Sequence, residues 1–190
     1  MYILFEKLTV LTSPQPTDLL SLIQKYNLEE ITIPAKTVLL QEGDVSKFIY
    51  FVKSGCLRMY TNHNGNEITT QFFFEGKAVA SMESLLTGQP SEFTMESLEP
   101  CTLYVMGKEQ FLKLIEEDID FKNWFNQLLL DRFFYYSKHL LSYLKNKPQE
   151  RYNELLAKHP HILQRVPQHY IASYLGITPV SLSRIRNRKA

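Results

Sequence analysis

Cysteine is scarce in this chain of 190 residues, and no long apolar run is present. The two cysteines, Cys56 and Cys101, lie far apart and neither sits in a CxxC pair, which excludes a four-cysteine iron–sulfur cluster and favours a reduced, cytoplasmic compartment. No run reaches the roughly 20 apolar residues that a membrane-spanning helix needs. The N-terminal segment has no basic region before its apolar residues, so we expect mature sequence and no signal peptide.

Catalytic motifs are also missing from the sequence. It contains no serine–histidine–acid arrangement, no Walker loop and no HExxH pattern. The acids at 116–118 close a predicted helix, where solvated carboxylates are more common than catalytic ones. We therefore expect no enzyme.

Charge is unevenly distributed although the net charge is only +1. Residues 148–190 hold seven Lys and Arg against two Glu, which is a surplus of five positive charges. A basic end on an acidic body is typical of a protein that meets a polyanion, although a solvated helix face would have the same composition.

The stretch from residue 30 to 106 consists of about eight short β-rich runs separated by turn signals. Even spacing of this kind predicts a β-sandwich or jelly roll and not a parallel sheet. The segment 63–68, HNGNEI, has the Asn-Gly pair of a tight hairpin. Helical spacing precedes the runs at 17–28 and returns at 108–118.

A long helix is predicted from Phe121 to Leu144, with apolar residues on more than one face. One face can cover the β-domain, and the other needs a partner. Spacings of alternately four and three residues mark the stripe that we predict to form a symmetric dimer: Leu129, Phe133, Tyr136, Leu140 and Tyr143. Burial of the whole helix inside one subunit is the alternative.

Residues 168–186, QHYIASYLGITPVSLSRIR, fit a DNA-binding helix-turn-helix. Ala172 is small where two helices would cross, and Gly176 follows at the turn, which needs a positive φ. Thr178 can cap the second helix, and Pro179 suits its first position. An ordinary pair of antiparallel helices is the alternative.

The second helix of such a motif enters the major groove of DNA, so its outward residues predict the contacts. Arg184 is the best candidate for direct readout, because arginine bonds guanine bidentately, and Val180 suits a thymine methyl group. The other predicted contacts, to bases or phosphates, are Gln168, His169, Thr178, Ser181, Ser183, Arg186, Asn187, Arg188 and Lys189.

The order of elements resembles that of the Crp/Fnr family of bacterial transcription regulators over essentially the whole chain. The turn at Gly43–Asp44, the strand at 50–52 and Arg58 after Gly55 match its β-roll, and 181–186 matches its recognition helix. The resemblance implies an α+β chain with a β-roll sensor domain at 1–118, a dimerisation helix at 119–146 and a DNA-binding domain at 147–190. Since the sequence ends at Ala190, we expect a helix-turn-helix without a full wing.

The resemblance also implies a homodimer on near-palindromic double-stranded DNA, with half-sites about 34 Å apart. RNA polymerase and a small-molecule effector of unknown identity are the further implied partners. We expect no membrane association and no cofactor. A haem would need an axial ligand, for which His139 is the candidate.

The segment 77–97 lies where cyclic-nucleotide-binding relatives carry a phosphate-binding cassette. Ala80–Ser81 stand in place of its glycine–glutamate pair, and Ser91–Glu92 in place of its arginine and hydroxyl. A lost charged hydrogen bond costs about 1.5–3 kcal/mol, so we predict that cyclic AMP does not bind in the usual way. Binding of cyclic AMP or cyclic GMP through other contacts is the alternative. The residues predicted to line the effector pocket are Val79, Ala80, Ser81, Met82, Ser91, Glu92, Tyr135 and Tyr136.

Overall fold

The β-rich middle of the chain folds into a roll of two four-stranded antiparallel sheets, which confirms the predicted jelly-roll architecture. The computed structural model describes residues 19–187, and side chains from Ile23 onward. One sheet has the order β1-β8-β3-β6 and the other β2-β7-β4-β5. The strands are β1 (Glu29–Ile33), β2 (Val38–Leu40), β3 (Phe48–Ser54), β4 (Leu57–His63), β5 (Asn66–Phe73), β6 (Ala78–Val79), β7 (Thr94–Ser97) and β8 (Cys101–Gly107).

Two of the strands, β4 and β5, form the predicted Asn-Gly hairpin. His63 pairs with Asn66, and the two residues between them have positive φ, 53° at Asn64 and 82° at Gly65. Such a turn has the twist that antiparallel strands require, so it sets the register from the tip inward. Strand β5 of the hairpin contacts the C-terminal helices through Glu67, Thr69 and Phe72.

Eight helices frame the roll within the described residues. Asp118 lies between the third helix and the fourth. Its carboxylate accepts hydrogen bonds from the backbone N–H groups of Asp120 and Phe121 and so caps the fourth, long helix. The helices are α1 (Leu19–Tyr26), α2 (Met82–Thr87), α3 (Lys108–Glu117), α4 (Ile119–Lys145), α5 (Pro148–Lys158), α6 (Pro160–Arg165), α7 (Gln168–Tyr174) and α8 (Pro179–Asn187).

Two short helices were not predicted from the sequence. Residues 77–97 contain α2, and the segment 159–167 contains α6. Both helices have six residues, α2 being capped by Gly88 with φ 75° and α6 beginning at Pro160, and helices this short have no apolar periodicity.

The buried apolar side chains form three clusters. One fills the interior of the roll, and a second joins the roll to α3 and the first half of α4. The third joins Cys56 and Phe72 of the roll to the buried faces of α5, α6, α7 and α8. The roll and the C-terminal helices therefore share one piece of hydrophobic core.

Candidate functional site: a cavity in the roll and an exposed helix-turn-helix

A cavity of about 480 Å³ opens between the roll and the long helix α4. Its roll side includes β6, α2 and the loop after α2, and its helix side is the first half of α4. Of the 20 lining residues, 14 are apolar, so the walls offer mainly dispersion contacts and few hydrogen bonds. The polar lining residues are Ser81, Glu83, Ser84, Gln89, Glu92 and Arg132.

The predicted cassette forms one wall of this cavity. Its two key pairs meet, because the hydroxyl oxygens of Ser81 and Ser91 lie 2.9 Å apart and both residues are buried. The backbone of Ser91 exchanges hydrogen bonds of 2.8 Å with the Gly43–Asp44 turn. These polar groups are therefore satisfied inside the loop. Arginine, the cation of the cyclic-nucleotide pattern, is replaced by the neutral Ser91.

The structure brings most of the predicted pocket residues together. Val79, Ala80, Ser81, Met82, Glu92 and Tyr136 line the cavity. Ser91 lies behind Ser81, and the hydroxyl of Tyr135 faces away, 2.8 Å from the hydroxyl of Tyr174 in α7. Tyr136 fills part of one side, where its hydroxyl donates to Gln71 of β5 at 2.8 Å.

A cationic residue in the cavity was missed by the sequence analysis. Arg132 reaches it from α4, and its guanidinium donates to the carbonyl oxygen of Ala78 at 2.6 Å and lies over the ring of Phe73. Burial lowers its pKa. The signal was the spacing: Arg132 stands in the stripe Trp124, Leu128, Tyr136, at intervals of four residues on the face that packs against the roll.

The helix-turn-helix forms with α7 and α8 around a buried core. Ile171, Ala172 and Leu182 are at most 1% exposed, and Gly176 has φ 64° at the turn. The hydroxyl of Thr178 accepts the backbone N–H of Ser181 at 3.2 Å, which caps α8. Each structural role predicted for this motif has a matching position in the fold.

The outward face of α8 is free of contacts with the roll. Val180, Ser183, Arg184, Arg186 and Asn187 are exposed, and Ser181 is half-buried beside the cap. Gln168 and His169 are exposed at the start of α7, and Thr178 is exposed at the turn. Arg188 and Lys189, also predicted to contact DNA, lie outside the described residues.

Two of the basic residues counted toward the C-terminal surplus have partners inside the protein. Arg151 donates three hydrogen bonds to the carbonyl oxygens of Asn146 and Leu175, and so closes the C-terminal end of α7. Arg165 forms ion pairs with Glu75 and Glu99 of the roll. That pairing lowers the pKa of the Glu75 carboxyl to about 2. The exposed basic residues of this region in the described part are therefore Lys158 of α5 and Arg184 and Arg186 of α8.

The first helix of the motif, α7, is docked on the roll. The hydroxyl of Ser173 accepts the backbone N–H of Thr69 at 2.9 Å and donates to the carbonyl oxygen of Glu67 at 2.7 Å. The ring of Tyr170 covers Arg58, whose guanidinium carbon lies 3.8 Å from the ring centroid. This docking positions α8 away from the roll.

Arg58 is fully buried at this interface between roll and motif. Its guanidinium donates to Thr69, Glu96 and Glu67 at 2.7–3.0 Å, and it lies between the rings of Tyr60 and Tyr170. An arginine that matched the family pattern in sequence thus lies beneath the helix-turn-helix and supports it.

The outer face of α4 carries three of the predicted dimer residues. Leu129, Phe133 and Leu140 are 43–65% exposed, and Leu144 is 73% exposed. Tyr136 is 45% exposed, but its ring lines the cavity and its hydroxyl bonds Gln71 of the roll. Tyr143 also differs from the others, because it packs on Gly176 and its hydroxyl donates to the carbonyl oxygen of Tyr174. The free apolar stripe includes further exposed residues beside those predicted: Leu130, Phe134 and Leu141.

His139 lies in an aromatic cluster between α4 and α7. Its ring stacks between Tyr135 and Tyr174 at centroid distances of 5.9 and 4.9 Å, and burial lowers its pKa. Among the residues with described positions, no group of three His, Cys, Asp or Glu side chains is arranged to hold a metal ion. No helix in 19–187 is both long and apolar enough to cross a bilayer.

Comparison with known proteins identifies the roll. Residues 30–118 match the model of the cyclic nucleotide-binding domain. A rat protein, patatin-like phospholipase domain-containing protein 7, is 28% identical over 89 residues, which are 46% of this chain and 7% of that protein. The chain thus spans a small fraction of that relative's length.

Solved structures share the fold of nearly the whole chain. FixK2 from Bradyrhizobium japonicum has a TM-score of 0.73 at 16% identity, covering 85% of this chain and 83% of its own. The c-di-GMP-responsive global regulator CLP of Xanthomonas campestris has 0.71 at 16%, covering 88% and 89%. A protein from Eubacterium rectale described as a Crp/Fnr transcriptional regulator has 0.69 at 19%, covering 88% and 81%. At these identities the likeness shows the fold.

Proposed function

We propose that this chain, a cyclic nucleotide-binding domain joined to a helix-turn-helix on the fold of Crp/Fnr regulators, is a homodimeric, sequence-specific DNA-binding transcription regulator. The observation that carries the proposal is the exposed, basic outer face of α8 on a packed helix-turn-helix core. A helix of this kind places its exposed side chains against base edges in the major groove.

Dimerisation is the second part of the proposal. The exposed apolar residues of α4 form a stripe along most of the helix, and a second copy of the same stripe would bury it. Two copies of α8 related by a twofold axis would read the two halves of a near-palindromic site. RNA polymerase is the partner that a transcription regulator of this kind would meet.

The effector in this proposal is not a cyclic nucleotide. Two observations support this: Ser91 offers the cassette no charge, and the only arginine among the lining residues of the cavity comes from α4. Exposed Glu92 adds a negative charge beside the place where a phosphate would sit.

Selection from random DNA followed by gel retardation tests the proposal. We expect enrichment of a near-palindrome that is bound by the dimer in a salt-sensitive manner. Arg184→Gln should lower affinity for the selected site about tenfold or more, since a bidentate contact contributes about 1–3 kcal/mol of discrimination. Lys122→Gln, at an exposed lysine in the first turns of α4, is the matched control and should leave binding unchanged.

Two results would contradict this function. One is binding with no sequence preference, which would mean that the basic face binds polyanions non-specifically. The other is equal affinity of the Arg184→Gln and Lys122→Gln variants, which would exclude α8 as the reading helix.

A further inference from the structure

Four arginines with a described position lie at least partly inside the protein, and they differ in how their donors are used. A guanidinium has five N–H donors. Arg58, Arg151 and Arg165 each make three hydrogen bonds or more to protein acceptors. Within the described part of the chain, Arg132 makes one, to the carbonyl oxygen of Ala78.

No carboxylate of the described chain forms an ion pair with Arg132. Its guanidinium is nevertheless half-buried, against the ring of Phe73 and beside Tyr136, where water is partly excluded. A partly desolvated cation with unused donors is stabilised by an anion that enters the same cavity.

The remaining walls restrict the rest of the ligand. Met59, Phe73, Trp124, Phe125 and Leu128 surround the space next to Arg132, together with Ile49, Ala78 and Val79. A body rich in hydroxyls or amides would leave polar groups without partners against these side chains. The volume of about 480 Å³ accommodates a small molecule.

The two acids of the cavity lie at a different place. Glu83 and Glu92 are on α2 and the loop after it, and both are exposed to solvent. Water screens their charge, but they oppose ligands that carry several negative charges. A ligand with one negative charge would be balanced by the single positive charge of one guanidinium group.

We propose that this cavity binds a small ligand with an apolar body and a single carboxylate, and that Arg132 is the partner of the carboxylate. The bidentate geometry of a guanidinium suits a carboxylate better than it suits a neutral hydroxyl or amide. The cation of the pocket is therefore supplied by the dimer helix and not by the cassette.

Regulation by such a ligand rests on the function proposed above, whereas binding itself does not. Arg132 belongs to the same helix as Phe133 of the apolar stripe and Tyr143, which contacts the turn of the helix-turn-helix at Gly176. A ligand that binds Arg132 therefore contacts α4, the helix that connects the cavity with the proposed dimer face and with the helix-turn-helix.

The protein carries its own probe for this test. Trp124 is the single tryptophan of the chain, and it lines the cavity. Decanoate, decan-1-ol and cyclic AMP would be titrated into the full-length protein, below the solubility of the alcohol and the micelle concentration of the acid. Tryptophan emission and calorimetry would be followed in parallel, so that a silent fluorophore does not hide binding.

Decanoate should shift the tryptophan emission saturably and bind at least tenfold more tightly than decan-1-ol. Arg132→Gln should remove that preference and leave decan-1-ol binding unchanged, because only the charged contact is lost. Lys138→Gln, at an exposed lysine of the same helix, is the matched control and should change neither titration. Glu92→Gln should tighten decanoate binding.

Several results would overturn the assignment: equal binding of acid and alcohol, binding of cyclic AMP without decanoate, or no binding of any of the three. If Arg132→Gln fails to fold by circular dichroism, the comparison of acid with alcohol and the Glu92→Gln variant still decide. If decanoate binds but leaves gel retardation of the selected DNA unchanged, the ligand site stands and the regulatory role fails.

Discussion

At the residue scale, Gly176 combines two constraints that are usually found apart. Its φ is 64°, which disfavours any side chain, and a Cβ built there would lie 2.9 Å from a ring carbon of Tyr143. One atom would thus strain the turn of the helix-turn-helix and also push against the long helix.

We expect Gly176→Ala to lower the free energy of unfolding by more than the ~1 kcal/mol that a left-handed backbone costs an alanine. Gly88→Ala is the matched control, because Gly88 has φ 75° and no atom within 4 Å of the added Cβ. Urea unfolding of both variants measures the difference. Equal losses would mean that Tyr143 moves aside at no cost.

His139 provides a prediction on pH. Burial lowers its pKa below the ordinary 6.5, and Arg151 acts in the same direction. The unfolded chain therefore binds a proton more readily than the native chain, so this residue lowers stability as the pH falls below about 6.5. The groups around it on α4 and α7 are Tyr135, Tyr143 and Tyr174.

Replacing His139 with phenylalanine should flatten the melting temperature between neutral pH and pH 5. The dependence should weaken without disappearing, since burial also lowers the pKa of His159. A His63→Phe variant, at an exposed residue beside the hairpin turn, is the matched control for the substitution itself. An unchanged profile for His139→Phe would assign the acid sensitivity elsewhere.

At the element scale, α4 is exposed on a face where a monomer would place polar residues. Phe133 is 65% exposed and Leu140 60%. We expect Phe133→Glu to weaken dimerisation at least a hundredfold, because twofold symmetry places the new charge twice in an apolar interface. Sedimentation velocity over a range of concentrations measures the association.

Leu86→Glu is the matched control for the dimer experiment. Leu86 is 47% exposed on α2, away from the stripe, and its replacement should leave the association unchanged. If both variants dissociate, the substitutions cause a general loss of structure. If neither dissociates, the dimer uses another surface.

The elements that the sequence predicts are those with a clear periodic or local signal. The strands follow from alternation, which is periodic. The hairpin and the helix-turn-helix follow from Asn64–Gly65 and Gly176, which are local signals. The short helices α2 and α6 have too few turns to show a period. The four-residue spacing places Arg132 on the face of α4 that packs against the roll. Whether an arginine on that face meets solvent, a carboxylate or a cavity depends on tertiary contacts, which the spacing does not give.

In the whole molecule, the shared core makes the roll and the C-terminal helices interdependent. Phe72 of β5 belongs to the same buried cluster as Tyr152, Ile171 and Leu182, and the ring of Tyr170 covers Arg58. Removing the C-terminal helices would expose both. We therefore expect one cooperative unit, in contrast to a two-domain chain with a flexible link.

Thermal unfolding at constant protein concentration should show a single transition. Circular dichroism, which reports on all helices, and emission of Trp124, which reports on the roll side of α4, should give the same midpoint. A chain ending at Asn146 should unfold at a lower temperature. Two separate transitions in the full chain would contradict the shared core.

The two cysteines can report the order in which parts of the core open, because each lies in a different cluster. Cys56 is buried in the cluster that the C-terminal helices complete, and Cys101 is buried in the cluster inside the roll. Burial raises the pKa of both thiols, so neither reacts with an alkylating reagent until its cover opens. Detachment of the C-terminal helices would expose Cys56 to the reagent first, and unfolding of the roll would expose both cysteines. The order in which the two mass increments appear therefore reports whether the helix-turn-helix detaches from the roll before the roll unfolds.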